Sequence, residues 1–460
     1  MTTTTQSGSV AAPVDQNVRS RRHRWQTLLA LAFGYFIDQG EGQAMSVLFP
    51  TIKALWGLNY RALGTIGTIR NVLQAVSAPL WGYASDRLSR KQVIIFGTGI
   101  WGLWTVACGL TRSFGQLLII RALSGIGLGC LLPATFSLMS DTFAPKKRGR
   151  ALGVLEAIGV SGIIIGTLGL GMLATPTLWR WGFFVLGGAS VLSGVAVALW
   201  VEEPPRGAAE PELEGLITPE DAARYRIGFS DLRTVVRYPT LWAAILQGMA
   251  GTMPWVVLGL YFITWLVDVR GMTEAIAFDH PQGSATLAFA GIVVGTVISN
   301  ILGGILGDWA ETWSPKYGRT IIGQISIFSG IPLSYIMLTQ TANWDFWPFF
   351  GLCFVTALTI SWAGKGAKEP MMQGAIPPEL RATAYAFVTF VENGFAALAA
   401  LIAGVLADRL GLTRALLWTI PFPWTLCGLI YSLFYWAYPR DAARLRSQMA
   451  GRARALREGE

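Results

Sequence analysis

Gly82-Tyr83-Ala84-Ser85-Asp86-Arg87-Leu88-Ser89-Arg90-Lys91 lies between two apolar stretches, each long enough to cross a bilayer. A weaker copy follows in the second half of the chain, where Gly304-Ile305-Leu306-Gly307-Asp308 ends another apolar stretch and Arg319 opens the next. An acid-plus-base loop that recurs between apolar segments predicts a membrane protein built of two related halves.

The composition agrees. Of the 460 residues, 52% are hydrophobic and only 14% charged, and the mean hydropathy is +0.47, far from soluble averages. A spanning helix needs about 20 residues, and apolar runs give twelve candidates, near 25–49, 60–84, 92–111, 114–139, 150–174, 180–201, 240–267, 285–307, 320–340, 345–367, 381–407 and 413–438. The expected fold is an all-α membrane protein with 12 transmembrane helices in two pseudo-symmetric six-helix bundles. Residues 1–24 form a disordered tail, 25–201 the first bundle, 202–238 a linker, 239–438 the second bundle and 439–460 a basic amphipathic tail. The linker is acidic early, and Thr218-Pro219-Glu220-Asp221 reads as the start of a short surface helix.

Basic residues resist translocation. Arg19 to Arg24, Arg87 to Lys91, Lys146 to Arg150 and Arg440 to Arg446 fall on one side of the twelve-span arrangement, which makes both termini cytoplasmic and the inner (plasma) membrane the expected location. The net charge of +9 is then mostly a topology signal, and no nucleic-acid partner is expected. The first apolar stretch is too long for a cleaved signal and should remain as helix 1. Cys108, Cys130, Cys353 and Cys427 lie inside spans and should be free thiols; His23 and His280 lie outside them, so neither metal nor other cofactor is expected.

Further landmarks repeat. Pro145-Lys146-Lys147-Arg148-Gly149-Arg150-Ala151 enters helix 5 and Pro378-Glu379-Leu380-Arg381-Ala382-Thr383-Ala384 enters helix 11, both reading Pro-x-x-Arg-x-x-Ala. With Arg121-x-x-x-Gly125-x-x-x-Gly129 and Trp179-Arg180-Trp181, the chain resembles the major facilitator superfamily over essentially its whole length. The resemblance implies inverted three-helix repeats, a solute site near the midplane and alternating access by rocking of the halves. It also implies that Asp86 gates the cytoplasmic side, with Arg87, Arg90 and Lys91 as partners, Asp308 as its copy and Glu156 nearby. Helix 1 and the Asp86 loop resemble Spinster-type lipid transporters as well, although Gln39 and Leu128 stand where that pattern has Arg and an acid.

Ionisable groups inside a membrane are rare and costly, so they mark function. Asp38 and Glu41 in helix 1, Arg70 in helix 2, Arg121 in helix 4 and Glu392 in helix 11 are the candidates for a substrate or proton pathway. Asp38 and Arg70 fall at similar depth, about 20 Å from the cytoplasmic ends, and are expected to pair. Glu41 and Glu392, with no assigned basic partner, are the expected proton carriers in a polar cavity between the bundles. The function that follows is secondary transport, proton-coupled, of a small organic solute such as an organic anion or amphiphile, by a monomer in the lipid bilayer. The alternatives are a proton-driven efflux antiporter for amphipathic or cationic compounds and a non-transporting membrane receptor. No nucleophile–base pair or phosphate loop points to an enzyme.

Overall fold

In a computed structural model, which describes residues 14–87, 89–143, 145–204, 236–272, 281–377 and 380–458, the described residues are helical and include no strand. The expected linker helix lies outside the described residues, as do the side chains of Asp86 and Arg87 and those of Lys146 to Arg148. In chain order, α1 comprises Val14–Gly42 and, after Gln43, Ala44–Trp56. Then follow α2 (Tyr60–Arg87), α3 (Arg90–Gly109), α4 (Phe114–Thr142), α5 (Pro145–Leu173) and α6 (Trp179–Trp200). Beyond residues 205–235 come α7 (Pro239–Asp268), α8 (Pro281–Trp313), α9 (Gly318–Thr339), α10 (Phe346–Ala375), α11 (Arg381–Leu410) and α12 (Leu412–Thr419, continued through Pro421–Ile430 to Phe434–Glu458).

Ten of these segments are long and apolar enough to cross a membrane. The two that fall short, α1 and α2, carry Asp38 and Glu41 and the run Arg70, Asn71 and Gln74, so the polar groups that mark a site also lower their hydropathy. Several bounds differ from expectation. Among the described residues α1 is already helical at Val14, and no Gly or Pro interrupts residues 14–33. Helix α10 runs on to Ala375 through a π turn at Gly364–Lys368, with Pro370 tolerated in the first turn of Glu369–Ala375. At the carboxyl end α12 continues through Pro439 to Glu458, so the tail is an extension of the last helix.

Helix α1 packs on α5 and α6, and α2 on α4; in the second half α8 packs on α10, and α7 on α11 and α12. The halves meet through α2 with α11, α5 with α8, and Ala44–Trp56 with α7. Polar contacts across that seam gather at the end remote from residues 14 and 458. The Tyr261 hydroxyl is shared between the carbonyls of Tyr60 (3.1 Å) and Ala400 (3.0 Å), and Thr68 Oγ1 donates to Ala397 O at 2.6 Å. Asp408 accepts from the first N–H groups of α2, Tyr60 N at 2.9 Å and Arg61 N at 3.1 Å, placing a negative charge at a helix N-terminus. Lys53 Nζ meets Asp268 at 2.8 Å, over the face of Tyr60. The contacts at the opposite end stay within one half among the described residues. There Asp441, buried, accepts from Thr240 N (2.8 Å) and Oγ1 (2.7 Å), docking the long α12 on the first turn of α7. The molecule is therefore closed at one end.

Candidate functional site

The predicted pathway residues separate into two clusters, one in each half. In the first half Arg121 of α4, 1% exposed, donates from Nη1 to Glu41 Oε1 at 3.1 Å, and Glu41 is 4% exposed. Asp38 lies one turn before Glu41 on α1. Both carboxylates line a cavity of about 10 Å³ with Thr98, Trp101, Thr105 and Ser124, room for roughly one water. Arg70 approaches from α2, and the Nε atoms of Arg70 and Arg121 have no hydrogen-bond partner among the described residues. Two acids and two bases thus share a nearly dry compartment.

In the second half Lys368 Nζ donates to Glu392 Oε1 at 2.6 Å, with side chains 14% and 11% exposed. Lys365 pairs with Glu369 at 2.8 Å at the rim. Both lysines lie on the π turn, an irregularity frequent at functional sites because it re-aims side chains. A Cβ on Gly248 of α7 would fall 1.7 Å from Glu392 Oε1, so the carboxylate occupies space that only glycine leaves.

These positions correct three expectations. Asp38 and Arg70 make no ion pair within 4.0 Å among the described residues; Arg121 pairs with Glu41 instead, because the rotation of α4 about its axis brings its guanidinium to α1. Glu41 and Glu392 both have basic partners. The cavity at Asp38 and Glu41 is enclosed by α1, α3, α4 and α6, so it sits inside the first half, and no hydrogen bond or ion pair joins it to Glu392 among the described residues.

At the end bearing the termini, Ser89 caps α3 by accepting from Gln92 N. Arg90, 2% exposed, reaches Glu203 Oε1 with Nε at 2.9 Å and Pro204 O with Nη2 at 2.8 Å, and also pairs with Asp141. Partial burial pushes the Glu203 carboxyl up, but hydrogen bonds from Ser89 and Arg90 outweigh it and hold the group below the usual carboxylate range. Among the described residues Lys91 contributes its backbone N–H, at 3.4 Å from Glu203. The second copy is alike: Arg319 Nη2 meets Asp308 Oδ1 and Glu311 Oε2, each at 2.6 Å, and its Nη1 reaches Gly366 O at 2.9 Å. Glu156, expected beside the Asp86 loop, is exposed on α5 and accepts from the Tyr35 hydroxyl at 3.4 Å. The gating role expected of Asp86 and Arg87 falls on side chains outside the described residues.

Sequence reading missed Lys368 and Glu369, because the expected tenth span ends at 367, and missed Lys365, which lies just inside that end. The signal was there in two lysines and an acid within the apolar frame Ser361-Trp362-Ala363-Gly364-Lys365-Gly366-Ala367-Lys368-Glu369. Asp141 and Glu203, the partners of Arg90, were also missed.

The family model described as Major Facilitator Superfamily matches residues 31–366. Over 191 residues the chain is 31% identical to the cis,cis-muconate transport protein of Acinetobacter baylyi, covering 41% of this chain and 46% of that protein. It is 28% identical over 179 residues to the multidrug export protein EmrB of Escherichia coli, covering 39% and 34%. The matched stretch thus spans less than half the length of these curated relatives. Among solved structures, a bacterial homolog of the human lysosomal transporter Spinster, inward-facing and unoccupied, superposes with a TM-score of 0.79 over 91% of this chain and 98% of that one at 19% identity, a likeness of fold alone.

Proposed function

The chain belongs to the Major Facilitator Superfamily, and from that premise we propose that it is a proton-coupled secondary transporter of a small organic solute, working by alternating access. Twelve spans in two six-helix bundles cross the membrane, with both termini in the cytoplasm. The closed end then faces outside, and the conformation is open to the cytoplasm. The observation that carries the proposal is the pair of buried carboxylate–base clusters, Glu41 with Arg121 and Glu392 with Lys368, one in each half. Buried ion pairs are weak evidence of stability and expensive to maintain. Two of them inside a membrane, each holding a group that can exchange a proton for another charge, support coupling. Asp38 adds a second proton acceptor beside Glu41. The similarity to a muconate transport protein favours an organic anion, whereas the multidrug exporter leaves efflux of amphipathic compounds as the second reading.

In proteoliposomes, a pH gradient should drive concentration of at least one solute from a panel of organic acids, lysolipids and cationic dyes. Glu392→Gln and Glu41→Gln should each retain exchange of that solute yet lose gradient-driven accumulation. Transport indifferent to both pH gradient and proton ionophore would reduce the protein to a uniporter or a carrier coupled to another ion.

A further inference from the structure

A pocket of about 270 Å³ lies between α10 and α11 at the end bearing the termini, lined by Met372, Ile376, Ala384 and Tyr385, with Glu369 and Arg381 among its polar groups. Its volume approaches the lower bound for a small-molecule site, about 300 Å³. Glu369, which lines the pocket, is the ion-pair partner of Lys365 and directly follows Lys368 at the end of the π turn, and Met372 lies one helical turn beyond Lys368, so the pocket adjoins the segment that carries both ion pairs. Lys365 in turn lies within electrostatic reach of Glu156 on α5 of the other half.

Resting on the proton-coupled reading above, we propose that this pocket binds a small organic carboxylate, whose carboxylate group displaces Glu392 from Lys368 while Glu392 takes up a proton. The buried Lys368 ammonium requires one negative partner, and a substrate carboxylate can replace Glu392 one for one. Glu392, packed against Gly248 and away from bulk water, is then left without its cation, and the ionised form becomes costly. Protonation removes that cost. No covalent bond forms or breaks: one anion and one proton enter together, and the net charge of the site is unchanged. The groups around Glu392 allow the exchange. On α10 these are Lys368, Lys365 and Glu369, the last neutralised by Lys365; α11 contributes Tyr385; α7 contributes the Thr252 hydroxyl and Gln247; and α12 contributes the Cys427 thiol, already engaged by Gln247 Nε2 at 3.0 Å. The apolar faces of Met372, Ile376 and Tyr385 suit the body of an aromatic or conjugated acid.

The test is calorimetric binding to the full-length protein in detergent, using cinnamate, benzoate and sorbate with cinnamamide as the uncharged control. At least one carboxylate should bind, at least tenfold more tightly than the amide control. Its affinity should rise as pH falls, by up to about tenfold per unit, because one proton is taken up with the anion. Glu392→Gln should bind the anion more tightly than the wild type at high pH and lose the pH dependence. Lys368→Met should lose at least tenfold in affinity. If that variant does not fold with Glu392 left unpaired, the double variant Lys368→Met with Glu392→Gln removes both charges and should fold without binding the anion. Binding of none of the three carboxylates, equal binding of the amide, a pH-independent wild-type affinity, or undiminished binding by the Lys368 variants would each overturn the proposal. If pH-driven transport persists while Lys368 proves irrelevant, this site fails and the transporter reading stands. If the binding pattern holds without pH-driven transport, the site stands and the coupling reading fails.

Discussion

Arg121→Met should be among the most destabilising single substitutions in the protein. It leaves the Glu41 carboxylate, 4% exposed, in a compartment with room for about one water, and breaking a buried pair from one side costs about 3–5 kcal/mol. Glu41→Gln leaves the guanidinium instead, which already has an unpartnered Nε. The double variant Glu41→Gln with Arg121→Met removes both charges and should melt above the Arg121→Met single variant. Asp38→Asn with Arg70→Gln should show a smaller coupling, since no ion pair joins those two. Melting in detergent across both double-mutant cycles checks this: strict additivity for Glu41 and Arg121, or the larger coupling for Asp38 and Arg70, would sink the assigned pairing.

Gly64→Val should trap the molecule away from the conformation described here. A Cβ on Gly64 would meet Ala400 O at 2.4 Å and Tyr261 Oη at 2.6 Å, so α2 and α11 reach their present separation only because position 64 has no side chain. In the proposed alternating-access cycle, opening that end draws α2 away from α11 and relieves the clash. An overpacking strain of about 1–3 kcal/mol corresponds to a shift of roughly 5- to 150-fold in a two-state equilibrium, enough to stall a cycle that must visit both states. Ala397, 1% exposed at the same seam, is a reporter against a background of four buried native cysteines. A cysteine placed there by Ala397→Cys should react with a bulky thiol reagent much faster in the Gly64→Val protein, and transport should fall while the melting temperature changes little. Equal reactivity in both backgrounds with undiminished transport would remove the seam from the cycle.

The helices could be read from the sequence because apolar run length is a one-dimensional property, and a bilayer sets the length required. Candidate residues could be read for a related reason: Asp38, Glu41, Arg121 and Glu392 stand out as charges in apolar surroundings, whatever faces they occupy. Which charge meets which could not. Depth along the axis placed Asp38 beside Arg70, but pairing depends on the rotation of each helix as well. In α4, apolar residues surround the axis on all sides, so no stripe fixes that rotation, and the Arg121–Glu41 contact was invisible. Lys368 was lost for a different reason. The two lysines and Pro370 look like the end of a span, whereas a π turn and a proline in the first turn of the next helical segment carry α10 on to Ala375. Around the two loop copies the partners differ in sequence distance: Arg319 bonds Asp308 and Glu311 just across its own loop, whereas Arg90 reaches Asp141 on α4 and Glu203 after α6, which no local reading of the loop supplies.

The most direct measurement of the central claim records solute and proton movement together, in proteoliposomes holding a pH-sensitive dye and given a transported solute with no imposed gradient. Solute entry should change lumenal pH in fixed proportion to the solute moved; Glu392→Gln and Glu41→Gln should each move solute without the proton signal. Solute flux through the wild-type protein with no accompanying proton flux would contradict the account.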